Sequence, residues 1–216
     1  MHAISNLRLT DSRPNFSPGR DAAAADSASS FPGLPEVIGL VEQALQLRRT
    51  EAMNARLAQF LPPLMKRLRA HLPQQLLQPD PLGYRRFDLH HCPIHGYQIL
   101  AMVWGPGQGT PVHDHAEQWG IEAVMLGELQ TVRYAPIETA GTAVRLRATE
   151  VIDLGSGGVE FIDPAHGLHL CRNPSMRAVT VTLHVYARPL DVFGVYEDQG
   201  DGWHLRREHT PRIESL

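Results

Sequence analysis

The sequence predicts a mainly β fold, a sandwich or small barrel with helices packed on one side. Three observations carry this. After Pro81, short strand-forming runs recur between Gly, Pro and Asp. Before it, residues 35–72 show helical periodicity interrupted by prolines. In "AVTVTLHVYA", Val179, Val181, Leu183 and Val185 alternate with Thr180, Thr182, His184 and Tyr186. That period of two marks a strand with one apolar and one polar face.

In chain order, residues 1–33 are rich in Ala, Ser, Asp, Gly and Pro and lack periodicity. They read as a disordered tail. Their several Asp weigh against a processed targeting peptide. Residues 34–216 form the domain, with a helical prelude at 34–80 and a barrel at 81–216. "LPEVIGLVEQALQLRR" puts Val37, Val41, Ala44 and Leu45 near one face, with Pro35 at its start. "TEAMNARLAQFL" is a second helix, expected to stop at Pro62 and Pro63. "LMKRLRAHL" is a third, ending before Pro73. Strands are expected near 84–89, 97–104, 119–126, 128–134, 143–147, 158–162, 168–172, 178–187 and 202–206.

The 216 residues suffice for one domain with a core. The chain is 43% hydrophobic and 20% charged, with a net charge of −3 and no long run of one sign. Nothing here supports a nucleic-acid or anionic-membrane partner. No apolar run reaches the roughly 20 residues of a membrane span. The N-terminal stretch has no signal-peptide core. Cys92 and Cys171 do not make a disulfide scaffold, so a reducing cytoplasm is the expected compartment.

Histidine is the unusual count, at 12. With that many, chance alone yields about two-thirds of one H-x-H pair. The pair His113 and His115, in "WGPGQGTPVHDHAEQWG", therefore says little alone, and two exposed residues at a strand end would also fit. On a strand, however, i and i+2 point to the same side. Downstream, "FIDPAHGLHLCRN" offers His169 after a turn. Strands distant in sequence line one cavity in a barrel, and three neutral imidazoles suit a divalent transition metal.

Residues 107–127 resemble the first cupin motif, G-x5-H-x-H-x3/4-E-x6-G. Gly107, His113, His115 and Gly127 fall in place, and Gly120 stands in the Glu slot. Residues 158–173 resemble the second motif through Gly158, Pro164, His169 and Asn173. His166 stands where that motif has a turn glycine, which makes it a turn or near-site residue rather than a ligand. The resemblance implies a cupin jelly-roll β-barrel with the N-terminal helices packed outside. It also implies a metal held by His113, His115 and His169.

Over roughly residues 80–190 the chain further resembles the cysteine dioxygenase type I family, in its bacterial form. The resemblance rests on "YRR" at 84–86, "VWGPGQGTPVHDH" at 103–115, "GLH" at 167–169 and "VTLHVY" at 181–186. It implies iron(II) on three neutral histidines, with positions left for a thiol substrate and dioxygen. Arg86 is then the group that grips the substrate carboxylate. Strand alternation puts Tyr84 and Arg86 on one face and Arg85 and Phe87 on the other, and the family spacing selects Arg86. Guanidinium suits a carboxylate because it donates two parallel hydrogen bonds and stays charged. Thr182, His184 and Tyr186 match a hydrogen-bonded row that ends at the substrate.

Animal relatives carry a cysteine in the Gly120 slot, crosslinked to the tyrosine, so Tyr186 is expected to be unmodified. "YARP" departs from the Ser-Pro that follows the tyrosine in animal relatives, which leaves a cis peptide there open. Trp104 packs behind the site or simply in the core. Cys92 and Cys171 receive no catalytic part, and Asp114 and Glu117 are not read as ligands. The implied reaction adds both atoms of dioxygen to the sulfur of L-cysteine, giving cysteine sulfinic acid. The alternative substrate is 3-mercaptopropionate or another thiol carboxylate, whose enzymes tend to have Gln in the Arg86 position. A third reading is a non-catalytic metal-binding cupin, holding zinc. Oligomeric state and the role of the tail are not legible.

Overall fold

The computed structural model describes residues 31–216 except 165 and 166. The expectations for residues 1–30 and for His166 lie outside the described residues. Two α-helices open the fold: α1, Leu34–Leu45, and α2, Thr50–Leu68. Two short 3-10 turns follow, at Arg69–His71 and Gln74–Leu77. Pro35 sits in the first turn of α1, where its missing N–H costs nothing, and Val37, Val41 and Ala44 are buried.

The expected stop at Pro62 and Pro63 does not occur. Both prolines lie inside α2, and the expected third helix is its last turn, residues 64–68, continued by the 3-10 turn Arg69–His71. Met53, Leu57, Leu61, Met65 and Leu68 run at helical spacing along the buried face and anchor both halves. Ala58 and Gln59, whose carbonyls lose their proline partners, are exposed, so water can take those bonds. Phe31, assigned to the tail from sequence, is 1% exposed and belongs to the core.

Twelve strands follow: β1 Arg85–His91, β2 Gln98–Trp104, β3 Val112–His113, β4 Gly120–Leu126, β5 Glu128–Ala140 and β6 Ala143–Gly155. The others are β7 Val159–Ile162, β8 His169–Arg172, β9 Thr180–Tyr186, β10 Phe193–Gly200, β11 Trp203–His209 and β12 Glu214–Ser215. All nine expected strands are present, and β3, β10 and β12 were not expected. One sheet has the order β12-β1-β2-β9-β4-β7. The other runs β10-β11-β6-β5-β8-β3 and closes on itself where His113 pairs with Val195 of β10. Among the described residues no helix is long and apolar enough to cross a membrane.

The middle of the first sheet separates two environments. Ile99, Ala101 and Val103, with Ile121, Ala123, Met125, Val181, Leu183 and Val185, share one hydrophobic cluster with α1 and α2. The valine face of β9 therefore lies under the helices. The alternate residues of these strands face the barrel interior. Across β4 and β9, Gly120 pairs with Tyr186, Glu122 with His184 and Val124 with Thr182. Gly127, at φ +79°, makes the turn out of β4, and a Cβ there would lie 2.6 Å from Thr180 Oγ1. Only glycine takes both that conformation and that approach.

Candidate metal centre

His113 and His169 sit directly opposite each other where β3 pairs with β8. His115 follows the end of β3 and opens a tight turn. Ala116 and Glu117 adopt φ 50° and 57° there, and the Gln118 N–H donates to His115 O at 3.2 Å. The three rings form a near-regular triangle, with centroids 4.9, 4.7 and 4.7 Å apart. One ring nitrogen from each lies within 4.8 Å of the other two, and all three residues are buried.

Ring orientation suits metal binding. His113 Nδ1 is 3.1 Å from Pro111 O and His115 Nδ1 is 3.0 Å from Gly167 O. Each Nδ1–H donates to its carbonyl, which leaves Nε2 as the lone pair. His115 Nε2 is buried without a hydrogen-bond partner. A metal ion would satisfy that nitrogen, so the residues fit the group. Burial pushes all three imidazoles down to about 3, which keeps them neutral and able to ligate at ordinary pH.

These shifts predict how the metal-free chain responds to acid. Each folded-state value, about 3, lies below the ordinary histidine range near 6.5. The unfolded chain therefore takes up these protons first. Stability is complete above about pH 6.5 and declines as pH falls toward 3, with each ring adding up to about 1.4 kcal/mol per pH unit. Urea unfolding of chelator-stripped protein at pH 7 and pH 5 checks this. A flat profile would mean that the rings are open to water.

The second-motif Asn173 holds the surrounding loops. Its Nδ2 donates to Gly105 O at 3.0 Å and Ala178 O at 2.7 Å, and its Oδ1 accepts from Ser175 N at 3.0 Å. Asp114 faces elsewhere, accepting from Gly194 N at 2.9 Å and Arg206 Nε at 2.8 Å, and Glu117 is exposed.

A carboxylate that the motif spacing does not single out lies beside the histidines. Gly120 does occupy the Glu slot, but Glu122 shares its face of β4, one pleat further along, and is 1% exposed. Glu122 Oε1 lies 3.3 Å from His184 Nδ1 and 3.6 Å from His169 Nε2. Its Oε2 accepts from Cys171 Sγ at 3.4 Å. Burial opposes ionisation of Glu122, and the facing His169 and His184 rings outweigh it, holding the carboxyl below its usual range. Cys171, given no part from sequence, lines the same cavity. Its thiol is pushed well up by burial and by Glu122. The available signal was one acid inside the apolar run "GIEAVML", on the same strand face as Gly120.

The Thr-His-Tyr row is continuous. Thr182 Oγ1 is 2.7 Å from His184 Nε2, and His184 Nδ1 is 3.1 Å from the Tyr186 hydroxyl. Trp104 extends it, donating Nε1–H to Thr182 Oγ1 at 2.9 Å, while its ring stacks on Tyr84 at 4.8 Å. Burial pushes the Tyr186 phenol well up, so it remains a donor. The described chain contains no cis peptide.

The two arginines separate as alternation requires. Arg85 pairs with Glu214 at 2.6 Å on the outside and lies over Phe87. Arg86 is 3% exposed and lines the cavity with His113, Glu122, His184, Tyr186 and Phe193. Its Nη2 donates to Leu190 O at 3.4 Å and its Nε has no partner.

Gly120 is tight against the row. A Cβ there would lie 2.9 Å from Ile162 Cδ1 and 3.0 Å from Tyr186 Cδ1. Gly120→Ala is expected to move the tyrosine ring and destabilise the fold by about 1–3 kcal/mol, read by urea unfolding. Unchanged stability would show that the ring has room to yield.

The two sheets and the buried triangle of histidines define a cupin barrel whose centre can hold a metal ion. The chain belongs to the cysteine dioxygenase type I family, whose model matches residues 34–199. It is 22% identical to cysteine dioxygenase type 1 of Bos taurus over 103 residues, covering 48% of this chain and 50% of that protein. The Danio rerio protein of the same name is 25% identical over 109 residues, covering 50% and 53%. The chain thus spans about half the length of these curated relatives. Among solved structures, a Klebsiella pneumoniae protein with a double-stranded beta-helix domain matches with TM-score 0.41 and 16% identity, covering 62% of this chain and 93% of that one. A Thermus thermophilus protein matches with TM-score 0.39 and 23% identity, covering 54% and 94%.

Proposed function

We propose that this chain is a thiol dioxygenase that holds iron(II) on His113, His115 and His169 and converts L-cysteine to cysteine sulfinic acid. One observation carries the reading. Arg86 is a buried guanidinium without a carboxylate ion pair among the described residues, and it lines the cavity that His113 borders. A buried cation without a counter-ion is costly, and a substrate carboxylate relieves that cost. The iron, when bound, supplies thiolate binding and the activation of dioxygen.

The protein's own residues do the rest. Arg86 fixes the carboxylate and, through it, the direction in which the sulfur points. Tyr186, protonated and held by His184, offers its O–H as a donor to the reacting atoms. Met102, Leu190 and Phe193 line the cavity and limit water. The stoichiometry closes without a further reductant, since R–SH plus O2 equals R–SO2H.

3-Mercaptopropionate has the same thiol and carboxylate but no amine. Glu122, a second charge on the cavity wall, favours the substrate that carries an N–H donor. The test is oxygen uptake by iron(II)-loaded protein against cysteine, 3-mercaptopropionate and cysteamine, with the metal content of protein purified from cells. Cysteine-dependent uptake with iron bound is expected. Zinc occupancy with no uptake on any thiol would overturn the reading in favour of a non-catalytic cupin.

A further inference from the structure

Glu122 lies outside the catalytic row read from sequence, yet it meets that row at its central residue. The direction of hydrogen bonding along the row depends on which nitrogen of His184 carries the proton. Both ends of the ring bear on that choice.

At the Nε2 end, Thr182 Oγ1 already accepts from Trp104 Nε1 at 2.9 Å. Thr182 is fully buried, and among the described residues its hydroxyl has one other close polar neighbour, His184 Nε2 at 2.7 Å. If Nε2 carried the proton, the threonine O–H would be left without an acceptor inside the protein, at a cost of about 1–3 kcal/mol. With Nε2 bare, Thr182 donates to it and both groups are satisfied.

At the Nδ1 end the neighbours are two oxygens, Glu122 Oε1 at 3.3 Å and the Tyr186 hydroxyl at 3.1 Å. A bare Nδ1 would set its lone pair against a carboxylate oxygen. A protonated Nδ1 donates to the pair as a shared hydrogen bond. The other carboxylate oxygen, Oε2, accepts from Cys171 Sγ, so both oxygens of Glu122 act as acceptors.

We propose that Glu122 is a positioning residue that, with Thr182, fixes His184 as the Nδ1–H tautomer. Tyr186 then accepts from His184, and its own O–H is free for the cavity. In the opposite tautomer Tyr186 would spend that hydrogen on His184 and present only lone pairs. The row thus delivers a donor where the reaction needs one, and the carboxylate sets its direction. This rests on the dioxygenase reading only for the use made of the Tyr186 hydrogen; the tautomer itself is independent of any activity.

The test is long-range proton–nitrogen NMR of the full chain labelled with 15N-histidine, both metal-free and zinc-loaded. His184 is assigned by the signal lost in His184→Gln. The expected wild-type spectrum has Nδ1 protonated and Nε2 bare; Nε2–H in the wild type would overturn the proposal without needing any variant of Glu122. Glu122→Gln keeps an acceptor oxygen and should keep the tautomer. Glu122→Leu removes it and should bring in an Nε2–H population. An unchanged ring in Glu122→Leu would assign the tautomer to Thr182 alone and overturn the part given to Glu122. In oxygen uptake, Glu122→Leu should lower kcat about 10- to 100-fold with KM little changed, and Glu122→Gln should restore most of it. If no thiol supports uptake by the wild type, the dioxygenase reading fails while the NMR result still stands.

Discussion

Replacing His113 by alanine is expected to abolish metal binding and thiol-dependent oxygen uptake while leaving the barrel folded. His113 is the hinge of the centre: its backbone pairs with His169 on one side and Val195 on the other. Those pairings use main-chain groups, which alanine retains, so the ring of strands should still close. What is lost is one of three neutral imidazoles in a buried triangle. Two nitrogens hold a divalent ion far less firmly than three. Removing a partner that merely orients a ligand costs about 10–100-fold in metal affinity, and losing the ligand itself should exceed that. Metal content after dialysis, read with circular dichroism, checks it. Stoichiometric iron in a folded His113→Ala protein would mean that the ion is held elsewhere, with Glu122, His169 and Cys171 the alternative cluster.

The chemistry-bearing residues were more legible than the strands that carry them. Motif spacing is a covalent property, so His113, His115 and His169 could be grouped across a long intervening stretch with no knowledge of β3. That strand is only two residues long and has no periodicity to detect. β10 escaped for a different reason: Val195 and Tyr196 are only half-buried and Glu197–Gly200 are exposed, so no continuous apolar face marks it. Proline as a local breaker predicts two helices where α2 is one, because the buried row from Met53 to Leu68 holds the helix together. Arg86 was separable from Arg85 because neighbours on a strand take opposite faces and the family spacing picks the face of Tyr84 and Arg86. Glu122 was missed because the motif directs attention to one slot, and Gly120 filled it. A side chain two residues along the same strand faces the same cavity, and a charge in an apolar run has to find partners. In a strand lining a barrel, an empty ligand slot is thus no measure of the charge around the histidine centre.

Replacing Arg86 by glutamine is expected to lower kcat/KM for cysteine about 100-fold or more. Two charge-assisted hydrogen bonds to a buried carboxylate are worth about 3–5 kcal/mol, and each 1.4 kcal/mol is about a factor of ten. Glutamine keeps a donor but not the charge or the fork. Cysteamine, which has no carboxylate, should be turned over equally by both proteins, separating loss of recognition from loss of iron. 3-Mercaptopropionate should lose less than cysteine. Without an amine to satisfy, its chain can shift to let the carboxylate find another donor, so the ratio of the two substrates should move toward it. Folding gives an independent check. Arg86 is 3% exposed, and its Nε has no partner, so the free protein carries the cost of a buried cation. Glutamine relieves that cost, and the variant should unfold at the same urea concentration as the parent or a higher one. A catalytic loss confined to carboxylate substrates in a protein of undiminished stability is what a substrate clamp produces. An unchanged preference between the two thiols would show that Arg86 does not select between them, and an equal loss on cysteamine would show that it supports the centre rather than the substrate.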